Sequence, residues 1–168
     1  MPLRTSFAAM NCSLARAIDV VGDAWSLLIL RECFLGVERF DGFHRSLGMA
    51  RNILADRLAR LVAAGVLERS DATRPVYRLS EQGRDLLPAL IALMQWGDRW
   101  ISGAQSAPML VLGDDGEPLA TVALQHADGS PQAPDGVGFA AGPGAEPLTR
   151  AYLEALASVR RKPGDDAS

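Results

Sequence analysis

Lysine is missing from most of this chain: residues 1–104 contain 13 arginines and no lysine. Cysteine is almost as scarce. Cys12 and Cys33 are the only two, too few for a disulfide framework, and no His/Cys cluster has zinc-ligand spacing. Such sparing use of thiols fits a reducing compartment. Long apolar runs are lacking as well. The longest, 25–30, is far short of the roughly 20 residues that span a bilayer. The N-terminus has no continuous hydrophobic segment and reaches an acid at Asp19, which argues against a secretory leader. These absences speak against disulfide-stapled secreted proteins and membrane-spanning ones, and the expectation is a soluble cytoplasmic protein with no membrane partner.

What is present is enough apolar material for a core, 48% of 168 residues, and an uneven distribution of charge. The net charge of −3 combines +2 over residues 1–104 with −5 over 105–168. Within 39–78, eight arginines face four acids. An acidic protein can still meet a polyanion if its positive charge is local, because exposed charges act over about 10 Å at moderate salt.

Hydrophobic spacing predicts helices over 13–22 and 24–35, the second capped by Asp23 and closed by Gly36. An extended piece at 38–40 precedes a short helix over 42–47, opened by Asp41 and ending near Gly48. A fourth helix, 50–64, places Leu54, Leu58, Leu61 and Val62 on one stripe and Asn52, Asp56, Ala59 and Arg60 opposite. Two β-prone segments, 66–70 and 76–79, flank a polar turn. A fifth helix spans 80–104, with Pro88 inside it either kinking it or removing a backbone bond. Beyond 105 the composition turns to Gly, Pro, Ala and acids. It reads as a hairpin over 109–124, loops over 126–147, an amphipathic helix over 148–161 and a disordered end, 162–168.

That order is mainly α with a β-hairpin wing, a winged helix-turn-helix over residues 1–104, followed by a small α+β accessory extension over 105–168. The fourth helix would be the recognition helix. Arg45 from the third helix, Arg51, Asn52 and Arg60 from the fourth, and Arg69, Arg74 and Arg78 around the wing are the candidate DNA-binding residues. Arginine offers a planar donor fork to phosphate or guanine, and asparagine can pair with adenine. Arginines on an exposed helix are more often a solvated face, so clustering and element order carry this reading together. Arg57, beside the apolar stripe, reads instead as a partner of Asp56 or Asp23.

Residues 12–100 resemble the HxlR-type transcriptional regulators, relatives of the MarR group. The segments that carry the resemblance are Cys12 before the first helix, VVGDAWSLLILRE, RFDGFHRSLG, ILADRLARLVAAGVLER, RPVYRLSEQG and WGDRW. The resemblance implies a homodimer formed through the N-terminal helix and helix 80–104, bound to double-stranded operator DNA and answering to a small-molecule effector or to thiol oxidation, with no cofactor and no enzymatic activity. It also implies that helix 80–104 continues through Pro88. Ala50 departs from the pattern, since a hydroxyl cap is usual there. Cys12 stands where some family members sense oxidants, and a packing role at the dimer interface is the alternative. Cys33 reads as a buried core thiol, His44 as a surface or phosphate-contacting residue, and Trp25, Trp96 and Trp100 as core and interface anchors. The competing function is a winged helix used for protein interaction without specific DNA binding. A Ser/His/Asp hydrolase reading has no nucleophile-elbow context.

Overall fold

The computed structural model describes residues 6–103 and 106–160. The expected domain boundary at 104–105 and the expected disordered end at 162–168 both fall outside those residues. The chain divides into two compact units, one of Arg16–Val122 and one of Met1–Ala15 with Ala123–Ser168.

Helix α1 spans Ser13–Val21 and α2 spans Ala24–Phe34. Asp23, in extended backbone, caps α2 by accepting the Ser26 N–H at 3.1 Å. Such a cap contributes about 1 kcal/mol. Helix α3, Phe40–Leu47, begins two residues before the sequence pattern suggested, so Asp41 lies in its first turn and Arg39 is the cap residue. Gly48 ends α3 with φ 65°, a left-handed turn that disfavours any side chain. Helix α4, Arg51–Ala63, starts from Ala50 without a side-chain cap.

The apolar stripe of α4 decides the packing. Leu54, Leu58 and Leu61 are all fully buried, against Ile29 and Leu30 of α2, Phe43 of α3, Met49 in the turn, and Val66 and Leu67 beyond. Strands β1, Leu67–Arg69, and β2, Tyr77–Leu79, pair antiparallel with Glu68 opposite Arg78. Tyr77 packs edge-on against Phe43, ring centroids 6.4 Å apart. A third chain segment joins this hairpin. Arg39 bridges Val76, and the Tyr77 N–H donates to the Glu38 carbonyl at 2.7 Å. The wing is therefore pinned to the start of α3.

The fifth helix is not continuous. It consists of α5, Glu81–Arg84, then α6, Leu87–Gly97, then a π-helical turn over Asp98–Ser102. The break falls just before Pro88, which sits in the first turn of α6. Proline has no N–H to donate, and its ring clashes with the carbonyl four residues back, that of Arg84. α5 ends at that residue. Of the two places expected for the tryptophans, core and interface, the core is excluded: Trp25, Trp96 and Trp100 are all exposed in the single chain. Near the end of this unit, Leu112 bridges Pro118 and Leu119 N–H donates to Val111 O. The expected hairpin is thus a tight turn with a single bridge, because Pro118 cannot donate to a longer ladder.

The other unit holds α7, Pro147–Arg160, and a turn in which Gln125 bridges Pro131. Asn11 ties its two ends together, donating to Gly144 O and accepting from Glu146 N–H. On α7, Leu148, Tyr152 and Leu156 are exposed; the side chain of Val159, expected on the same face, lies outside the described residues. No helix among the described residues is long and apolar enough to cross a membrane.

Ser80 links the wing to α5. Its hydroxyl donates to the carbonyls of Gly65 and Val66 and accepts the Gly83 N–H. Gly83 is buried against the backbone just before β1, and a Cβ there would lie 2.3 Å from Val66 O. Gly83→Ala should therefore lower stability by about 2 kcal/mol. A urea midpoint equal to that of the unsubstituted protein would contradict this packing.

Candidate nucleic-acid interface

With its stripe buried, α4 turns Arg51, Asn52, Asp56 and Arg60 to solvent. Arg51, in the first turn, reaches across the helix-turn-helix to Asp41 of α3 at 3.0 Å. Its guanidinium lies over the Phe40 ring, 4.9 Å from the centroid. One face of the Arg51 fork is thereby stacked and its plane oriented. Arg60 pairs with Asp56 one turn back, at 3.0 Å. Asn52 is exposed beside them.

On the wing, Arg78 grips Glu38 with both arms of its fork, at 2.7 and 3.3 Å. Hydrogen bonding from Arg78 holds the Glu38 carboxyl below the ordinary carboxylate range, and the same bond raises Arg78. Arg69 and Arg74 are exposed, as is Arg45 on α3. None of these three pairs with a carboxylate among the described residues.

Three of the sequence candidates meet in one place. Arg45, Arg51 and Arg74 line a cleft of about 1030 Å³ between the wing tip and the start of α3, together with Arg39. Asn52 and Arg60 lie along α4 outside it, and Arg69 and Arg78 on the hairpin do not line it. Arg39 was not singled out from the sequence. The available signal was its place as the first residue of RFDGFHRSLG, where the extended piece ends and a helix starts.

Other polar residues serve the frame. Arg57 binds both Asp23, at 3.0 Å, and Asp56, at 2.7 Å. Partial burial would raise the Asp23 carboxyl, but hydrogen bonds from Ser26 and the Arg57 charge outweigh it and hold it below the ordinary value. His44 is not a free surface group. Its Nδ1 lies 2.8 Å from Met49 O, and since a carbonyl only accepts, Nδ1 carries the proton. The ring thus fastens the end of α3 to the turn before α4.

An amphipathic helix seated by its stripe, preceded by a short helix and a glycine turn and followed by a two-stranded hairpin, defines a winged helix-turn-helix protein. The HxlR-like helix-turn-helix family matches residues 20–105. The chain belongs to that family. It is 46% identical over 101 residues to the uncharacterised HTH-type transcriptional regulator Rv3095 of Mycobacterium tuberculosis, covering 58% of this chain and 64% of that protein. It thus spans under two thirds of that relative's length. Among solved structures it is similar to PA1607, described as a candidate transcription factor, with TM-score 0.76 and 37% identity over 82% of this chain and 100% of the other. PA1374 from Pseudomonas aeruginosa, described likewise, gives TM-score 0.63 and 34% identity over 84% and 99%. Both structural matches extend beyond the residues that the family covers.

The two thiols differ in setting. Cys12 is exposed immediately before α1. Burial, followed by the charges of Glu32 and Glu38, pushes the Cys33 thiol up to about 12. At pH 8 only Cys12 should therefore take up iodoacetamide in the folded protein, with Cys33 labelled after unfolding. Mass spectrometry showing equal modification of both in the native state would contradict this.

Proposed function

We propose that this protein is a homodimeric, sequence-specific DNA-binding transcriptional regulator, acting as a repressor. The observation that carries the reading is the concentration of guanidinium groups on one side of an acidic chain: four line the cleft under the wing, and Arg51 and Arg60 flank Asn52 on the exposed face of α4. In this reading α4 enters the major groove with Arg51 and Asn52 at base edges, Arg45 and Arg60 meet phosphates, and Arg69, Arg74 and Arg78 follow the backbone or minor groove.

Dimerisation supplies what the single chain leaves uncovered. Leu14 and Ile18 of α1, Leu93 and Trp96 of α6, and Trp100 and Ile101 after it are 42–75% exposed. Large apolar residues in such numbers mark an interface rather than a solvated surface. Pairing through these segments would set the distance between two copies of α4. Oxidation at Cys12, or a small-molecule effector, would change that distance and release the operator.

Titration of random duplex DNA with the full chain should show affinity falling steeply with salt, and Arg51→Ala and Arg74→Ala should each weaken binding. Binding that is absent, or indifferent to salt, would sink the DNA reading in favour of a winged helix that contacts protein. For regulation, Cys12→Ser should abolish release of DNA by a thiol oxidant. A variant that still responds would remove Cys12 from the mechanism and leave the small-molecule route.

A further inference from the structure

Between α2 and α6 the chain leaves a cleft of about 260 Å³ that the nucleic-acid interface does not use. Phe34 and Leu35 line it from the end of α2, Leu90 and Met94 from α6, and residues 109–112 form a third wall. That wall lies beyond residue 105, where the match to the HxlR-like family ends. It is fastened through its own turn. Leu119 N–H donates to Val111 O at 2.9 Å, and Val122 N–H donates to Gln95 Oε1 on α6 at 2.9 Å. The cleft therefore belongs to the extended chain and not to the winged helix alone.

Its chemistry is nearly uniform. Arg31 is the only charged residue in the lining, and all the others are apolar. An apolar cavity of about 150 Å³ already takes up a benzene ring while staying free of water, so this cleft has room for roughly two fused rings. Met94 and Met109 give it walls that adapt to shape. Arg31 donates from Nε and Nη2 to Glu32, a carboxylate only 5% exposed. A buried carboxylate needs its cation, so this pair stays intact. The pair has no net charge, and it leaves Arg31 Nη1 as a donor with no partner among the described residues. An anionic ligand would gain little, because Glu32 offsets the pull of Arg31 and the ligand's own charge loses water. An uncharged ligand with one acceptor oxygen takes Nη1 and leaves the pair whole.

We infer that this cleft binds a small, uncharged, apolar molecule of about two rings, with a single acceptor oxygen placed on Arg31 Nη1. The inference deepens the small-molecule route of the proposed function, and it rests on that reading only for its regulatory consequence. An occupant between α2 and α6 would change how the exposed face of α6 is held against the unit that carries α4.

Ligand binding is tested without DNA. Of the five methionines, Met94 and Met109 line the cleft, Met49 is in the core and Met10 is exposed elsewhere. Methyl-labelled methionine NMR of the full chain thus reads the site against internal controls. Addition of α-tetralone should shift Met94 and Met109 saturably and leave Met49 and Met10 in place. Tetralin, the same rings without the carbonyl, should bind about tenfold more weakly, and naphthoate should also bind more weakly than tetralone. Arg31→Lys keeps a cation beside Glu32 but gives up the second arm of the fork, so it should bring tetralone down to the affinity of tetralin. Val111→Trp should fill the cleft and remove the shifts. It lies outside the winged helix, so it serves even if Arg31→Lys disturbs α2. Shifts that do not saturate, that reach Met49 and Met10 equally, or that survive in Val111→Trp would overturn the site. Naphthoate binding as tightly as tetralone would overturn the uncharged ligand. Either failure leaves the DNA reading standing, whereas a chain that binds tetralone but no DNA would overturn that reading and keep the site.

Discussion

Burial of Leu54, Leu58 and Leu61 fixes the rotation of α4 about its own axis, and the character of the interface follows from that rotation. A helix turned by one residue, about 100°, would bring Arg51 or Arg60 toward the core and expose leucine. The three leucines meet side chains from α2, α3, the turn and β1 at once, so no other rotation satisfies the same partners. Close packing makes such an orientation hard to deform. The missing cap at Ala50 is tolerable for the same reason: tertiary burial seats the helix, and a cap would add only about 1 kcal/mol.

Around that frame, charge is arranged in pairs rather than left open. Arg51, Arg60 and Arg78 each carry an acid partner, from α3, from α4 itself and from the segment before α3. All three pairs are solvent-exposed, where an ion pair contributes little to stability. Their physical effect lies in orientation, since each holds its guanidinium against a particular carboxylate. Arg57 is different. It is largely enclosed and bridges Asp23 and Asp56, tying the cap of α2 to α4, so it belongs to the frame.

The sequence pattern made the helix-turn-helix legible because its signals are local. The leucine spacing, Asp23 before α2, and the glycines at 36, 48 and 65 each act within one element. The break between α5 and α6 runs against the expectation that the helix continues through Pro88: the proline ring excludes the Arg84 carbonyl, and α5 ends at that residue. Arg39 was missed because its role depends on a wing that comes 35 residues later. The tryptophans read as core and interface anchors, and composition does not tell which: a side chain's apolar character does not say whether the same chain covers it, and all three are exposed in the single chain. The acid partners of Arg51 and Arg78 were likewise invisible, since both cross between elements.

The central claim is that a symmetric pair of α4 helices reads DNA. Selection of bound duplexes from a random pool tests it most directly. The account predicts enrichment of an inverted repeat, with half-site centres about one helical turn, roughly 10 base pairs, apart or a multiple of it. Recovery of duplexes with no shared motif, or of a single unpaired half-site, would contradict it.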